Sequence, residues 1–276
     1  MTPPTHTPQR SIGAARGAAA LCVLGAALGL GTCSLATPSA AGDAIALGIA
    51  SLGLEIFLAC VALGLALLSP LSLRTRMGLG PGRLSGAVLA LLVLGTLALS
   101  QALDGIIEVL GLHQQSALAE FESTLAGASG WPLAVALVGV GLGPGIGEEL
   151  LCRGLVQRGL EPRLGTLPAV LIAALFFGAL HLEPVHAVFA GILGVYLGVV
   201  AVLAGSTRAA ILCHSINNLA AVLYAARFPE LTRPGVAGIA FGLALAAGCL
   251  LVARRAVPAT SPAPLPTQEP SADGPI

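Results

Sequence analysis

Apolar runs near the length of a bilayer crossing follow one another along this chain, separated by short polar breaks. The pattern predicts eight transmembrane helices, at 17–36, about 44–69, 84–103, from near Trp131 past Pro144 to Glu148, and at 167–182, 185–204, 209–226 and 235–253. Each approaches the ~20 residues that span a hydrocarbon core. The fifth is short and runs into a tight Glu183-Pro184 turn. Between the third and fourth lies a polar connection, 104–130, which carries Asp104, Glu108, Glu120 and Glu122 and no Arg. The expected organisation is a polar tail at 1–16, a membrane domain at 17–255 and a Pro-rich tail at 256–276. Arg10, Arg16 and the small residues Ser39-Ala40-Ala41 around the first run also suit a signal peptide. A retained anchor is preferred, because the run is long and the charge pattern works with it in place.

Composition agrees with this reading. The chain is 56% hydrophobic and only 9% charged, against about 25% charged in a soluble domain. The expectation is an all-α, polytopic helix bundle in a cell (plasma or inner) membrane, with no nucleic-acid partner. All thirteen basic residues are Arg. If the N-terminus starts inside, eleven of them fall inside and only Arg227 and Arg233 outside, as the positive-inside rule requires. Both termini are then cytoplasmic, segment 104–130 is external, and Glu148 approaches the cytoplasmic side. The six cysteines lie in or beside apolar runs with no C-x-x-C spacing, and read as small buried hydrophobes.

Against this background, Glu148-Glu149-Leu150-Leu151-Cys152-Arg153 stands out. Glu149 and Arg153 are four apart and share a helix face, so they can neutralise each other. Glu148 points elsewhere and has no partner in its own helix, and an ionisable group in a span is a functional candidate. Just before it, Gly141, Gly143, Gly145 and Gly147 alternate around Pro144, which suits close helix packing and a local kink. The other polar groups inside spans are few. His181 follows Phe177 by four residues, His186 lies just past Pro184, and His214 shares a face with Asn218, beside Asn217. Glu, His and a His/Asn pair on three helices can converge in a bundle interior. Depth is the difficulty: Glu148 lies ~15 Å along the axis from the inner loop and His181 ~22 Å. A tilted fifth helix or a projecting hairpin closes that gap.

A carboxylate in a low-dielectric pocket can act as general base on water. A nearby His can orient that water, and a His/Asn pair can donate to an oxyanion. The same Glu and His groups could instead bind a divalent metal. The signatures H-E-x-x-H and G-x-G-D of other intramembrane proteases are absent. Two rival readings are a non-catalytic membrane protein on the same fold and a proton-coupled transporter with Glu55 and Glu148 in a relay.

Three motifs occur in order: E-E-x-x-x-R at Glu148–Arg153, F-x-x-x-H at Phe177–His181, and H-x-x-x-N at His214–Asn218. With them, residues 140–225 resemble the CPBP family of intramembrane proteases, also known as the CAAX-protease and bacteriocin-processing (Abi) family. The resemblance implies an endopeptidase acting on a membrane-associated protein or peptide. It implies that Glu148 and His181 activate water, that His214 and Asn218 form the oxyanion site, and that Glu149 and Arg153 support them. It leaves open a metal-free mechanism or zinc held by Glu148, His181 and His214.

Overall fold

The computed structural model describes residues 43–228 and 233–257, and the regular structure there is helical. The helices are α1 (Asp43–Ala66), α2 (Leu73–Arg76), α3 (Gly86–Val109), α4 (Ala117–Leu125), α5 (Gly130–Leu164), α6 (Thr166–Ala179), α7 (Pro184–Ala204), α8 (Thr207–Arg227) and α9 (Val236–Ala256). Six of them, α1, α3, α5, α7, α8 and α9, are long and apolar enough to cross a membrane. The chain is a multi-pass membrane protein. Its outer surface carries large apolar side chains, among them Leu175, Phe241 and Leu251.

The expected spans differ from these helices in instructive ways. The first, 17–36, lies outside the described residues, as do tail 1–16 and most of tail 256–276. The third extends to Val109 and takes Asp104 and Glu108 into the helix. Segment 104–130 is therefore half helix, with α4 inside it. The fourth does not stop at the Glu pair but continues to Leu164. The fifth, α6, has 14 residues, ~21 Å at 1.5 Å per residue, less than a bilayer core. Its partner α7 begins abruptly: Pro184 sits in the first turn, and the Glu183 carboxylate accepts hydrogen bonds from the N–H groups of Val185 and His186.

α5 carries two wide π-type turns, Leu137–Leu142 and Leu150–Gln157, around the short α segment Gly143–Glu149. Such turns often mark functional sites. Their irregular carbonyls find outside donors. Ser51 Oγ in α1 donates to Gly139 O (2.9 Å), and Arg76 donates to Gly154 O and Leu155 O. Arg153 and Gln157 project the other way and donate to Gly194 O and Gly198 O of α7.

The alternating glycines divide between two neighbours. A Cβ on Gly143 or Gly147 would meet Glu55 of α1, while one on Gly141 or Gly145 would meet Leu219 or Ser215 of α8. Residues four apart share a face, so one run of glycines lets α5 press against α1 and α8 at once.

The Arg side chains separate by end. Arg76 binds the end of α5, Arg83 binds Val202 O and Leu203 O, and the 77–80 loop is held by Ser206 and Thr207. At the other end Arg233 pairs with Glu108 and Glu122, and Arg227 donates to Ala128 O.

Two outcomes are expected. Gly145→Ala and Gly147→Ala, whose Cβ atoms would lie 2.7 Å from Ser215 N and 2.6 Å from Glu55 O, overpack the α5 contacts and cost about 1–3 kcal/mol each. Gly248→Ala, with open space around it, does not. Thermal melting of detergent-purified protein reads the difference. Reporter fusions within 104–130 and within 154–165 report opposite sides of the membrane, with the second in the cytoplasm; the same side for both overturns the topology.

Candidate active site

The charged residues of α5 are organised by one oxygen. Glu149 Oε1 accepts from Arg153 Nη1 (2.6 Å) and from His214 Nδ1 (2.9 Å). Arg153 Nη2 donates to Gly194 O (2.8 Å), and its guanidinium lies 4.5 Å over the Phe177 ring. Glu149 is fully buried and Arg153 1% exposed. The pair expected from the four-residue spacing is present, and it also holds the His of another helix.

The hydrogen bonds settle the ring orientations. A carboxylate only accepts, so His214 Nδ1 carries a proton, which turns Nε2 toward Asn218 Nδ2 (3.2 Å) and Glu148 Oε2 (3.8 Å). The second distance is too long for a hydrogen bond. Asn217 Nδ2 donates to Asn218 Oδ1 (3.3 Å) and fixes that amide. His181 Nδ1 faces the carbonyl of Phe177 (3.0 Å). That nitrogen is therefore the donor, and Nε2 keeps its lone pair. The Phe177 ring stands edge-to-face with both His181 and His214, with centroids 5.1 and 5.5 Å away.

A cavity of about 820 Å³ opens in front of these groups. Glu148, His181, His214 and Asn218 all line it, with Phe177, His186 and Asn217. Glu149 and Arg153 do not line it; they stand behind. His181 and Glu148 line the same cavity. The cavity runs on between α3, α4 and α8, past Leu103, Phe121 and Tyr224, to Gln101, Asp104 and Glu120. It therefore extends toward the end where Arg233 lies.

Glu148 is 8% exposed, and its Oε2 has no hydrogen-bond partner among the described residues. Glu148, His181 and His214 are not gathered as ligands: among the described residues no group of three or more His, Cys, Asp or Glu is placed to hold a metal ion. As placed, these residues do not fit zinc.

Two features are not legible in the motifs. Glu55 of α1 lies beside Glu148, and the only sequence signal for it is a lone acid in an apolar run opposite the paired glycines Gly143 and Gly147. Gly194 serves as the acceptor for Arg153, a contact 41 residues long that no local pattern announces.

Residues 130–220 match a family model described as "Type II CAAX prenyl endopeptidase Rce1-like". No curated protein and no solved structure matches the chain.

Removing one partner of a buried ion pair costs about 3–5 kcal/mol. Arg153→Ala, which strands Glu149, is expected to lower the folded yield sharply, whereas Glu148→Gln leaves it near wild type. Size-exclusion recovery after detergent extraction compares them; equal losses mean that Glu148 is itself structural.

Proposed function

From a chain whose residues 130–220 match a family model for type II CAAX prenyl endopeptidases, we propose an intramembrane endopeptidase that hydrolyses a peptide bond of a membrane-associated substrate by a water activated at Glu148. The observation that carries this reading is the convergence of Glu148, His181, His214 and Asn218 on one cavity wall.

The chemistry follows from which atoms are free. Glu148 Oε2 is buried without a partner, ready to take a proton from water. His181 offers a lone pair at Nε2 to orient that water, because its Nδ1 is committed to Phe177 O. The water oxygen attacks the scissile carbonyl carbon, and its proton passes to Glu148. Negative charge collects on the carbonyl oxygen. Asn218 Nδ2, which turns one N–H to His214 Nε2, donates the other to that oxygen, so that His214 and Asn218 form the oxyanion site together. Donors fixed in advance in a dry site are worth more than donors that must reorganise. When the tetrahedral intermediate collapses, the C–N bond breaks and Glu148 returns the proton to the departing amine. Glu149 and Arg153 touch no reacting atom; they hold His214 in place.

The decisive experiment compares membranes from cells carrying wild-type or Glu148→Gln protein and looks for one precursor that remains uncut. With that precursor in proteoliposomes, Glu148→Gln and His181→Ala are expected to lower cleavage by about 10²–10⁴-fold, the range of general acid–base catalysis. Asn218→Ala is expected to cost about 10²–10³-fold, as loss of one oxyanion donor does. Cleavage by Glu148→Gln at the wild-type rate overturns the reading. Loss of activity in a chelator, restored by zinc, keeps the endopeptidase but replaces the metal-free mechanism.

A further inference from the structure

Asn217 is a second amide in α8, next to Asn218, and the proposed reaction does not use it. It is 7% exposed and lines the cavity with His214 and Asn218. Its Nδ2 donates to Asn218 Oδ1 (3.3 Å). A buried amide in a membrane-spanning helix is costly unless its polar atoms are paired, and a leucine of similar size would fill the position at lower cost. Packing alone does not explain Asn.

The direction of the hydrogen bonds does. Glu149 Oε1 only accepts, so His214 Nδ1 carries the proton that it gives at 2.9 Å. In the neutral ring Nε2 then accepts, and the amide atom of Asn218 that faces it at 3.2 Å is the donor Nδ2. Oδ1 is thereby turned to the other side, where Asn217 Nδ2 meets it. Four side chains form one head-to-tail chain: Asn217 donates to Asn218, Asn218 to His214, and His214 to Glu149. Asn218 is the link that has chemistry to do. One N–H of its Nδ2 is spent on His214, and the direction of the other is set by the plane of the amide. That plane turns about the Cβ–Cγ bond, a soft torsion with broad minima. Held at Nδ2 alone, the amide can pivot on that contact. Held at Oδ1 as well, it cannot.

We propose that Asn217 is a positioning residue of the oxyanion site: by donating to Asn218 Oδ1 it locks the amide plane, and so aims the free N–H of Asn218 Nδ2 at the carbonyl oxygen of the bond being cleaved. This rests on Asn218 being the oxyanion donor of the proposed reaction.

The test uses the full chain in proteoliposomes and the precursor found in the membrane comparison. Two replacements of similar size are made, each alone and combined with Asn218→Ala. Asn217→Leu removes the donor. Asn217→Asp keeps the shape but, as a carboxylate, only accepts; it draws Nδ2 to itself and turns Oδ1 toward His214 and the oxyanion. Asn217→Leu is expected to lower kcat about tenfold, the worth of one neutral hydrogen bond, with KM unchanged, because the contact that it misaims forms in the transition state. Asn217→Asp is expected to cost about 10²-fold, as loss of the oxyanion donor itself does. In the Asn218→Ala background neither replacement is expected to lower kcat by more than about twofold, the scatter of additivity, since a residue that acts through Asn218 has nothing left to aim. If one replacement is recovered poorly, the other carries the comparison. Losses in that background as large as those in wild type overturn the proposal and assign Asn217 to packing, charge or direct substrate contact. Wild-type kcat in the single variants overturns it too. Wild-type kcat in Asn218→Ala instead removes the reading beneath it.

Discussion

One carboxylate oxygen, Glu149 Oε1, ties three helices together. It accepts from Arg153 one turn on in α5 and from His214 in α8, and Arg153 passes the connection to α7 through Gly194 O. In water such a cluster would contribute little. In the bundle interior each of these groups would be ruinous alone, so their positions are mutually compulsory. α5, α7 and α8 cannot shift relative to one another without leaving a charge unpaired. The geometry of the cavity wall is a consequence of that constraint, because His214 and Phe177 are both placed by it.

The second constraint is backbone distance. α5 must lie close to α1 and α8 to bring its short polar side chains into line, and only glycine allows the approach. The same glycines weaken the helix, and Pro144 removes a donor from it. α5 compensates by borrowing partners: Ser51 and Arg76 from outside, and its own Arg153 and Gln157 reaching into α7. The reactive segment is thereby irregular in itself and rigid in context.

Much of this was legible in the residues. Hydropathy alone marked α7, α8 and α9 to within a few residues, because lipid-facing helices must be apolar along their length. The spacing of Glu149 and Arg153 announced their pairing, and the three motifs named the four residues that meet at the cavity. The errors have physical causes. Asp104 and Glu108 were read as loop because acids in a span are rare, yet they sit at the end of α3, where Arg233 pairs with Glu108. The fourth helix was cut short at the Glu pair because its continuation is polar, yet that continuation is packed on α6 and α7 rather than exposed to lipid. Glu55 entered the sequence reading only as a relay partner of Glu148 in the transporter alternative, because its contact with the glycines of α5 is long-range and leaves no periodic trace.

Hydrolysis inside such a bundle poses a problem that the cavity addresses in its shape. A peptide bond in an apolar helix is already hydrogen-bonded, and exposing it to water leaves its N–H and C=O without partners at a cost of several kcal/mol each. The site must therefore offer replacement partners before chemistry begins. Asn217 and His186 line the cavity beside the residues of the proposed reaction and are not used in its bond-breaking step. Leu97, Leu103, Phe189 and Leu193 line the same cavity. On the proposed reading, a substrate segment entering it can keep its side chains against apolar groups while its backbone exchanges helical hydrogen bonds for those of the polar lining.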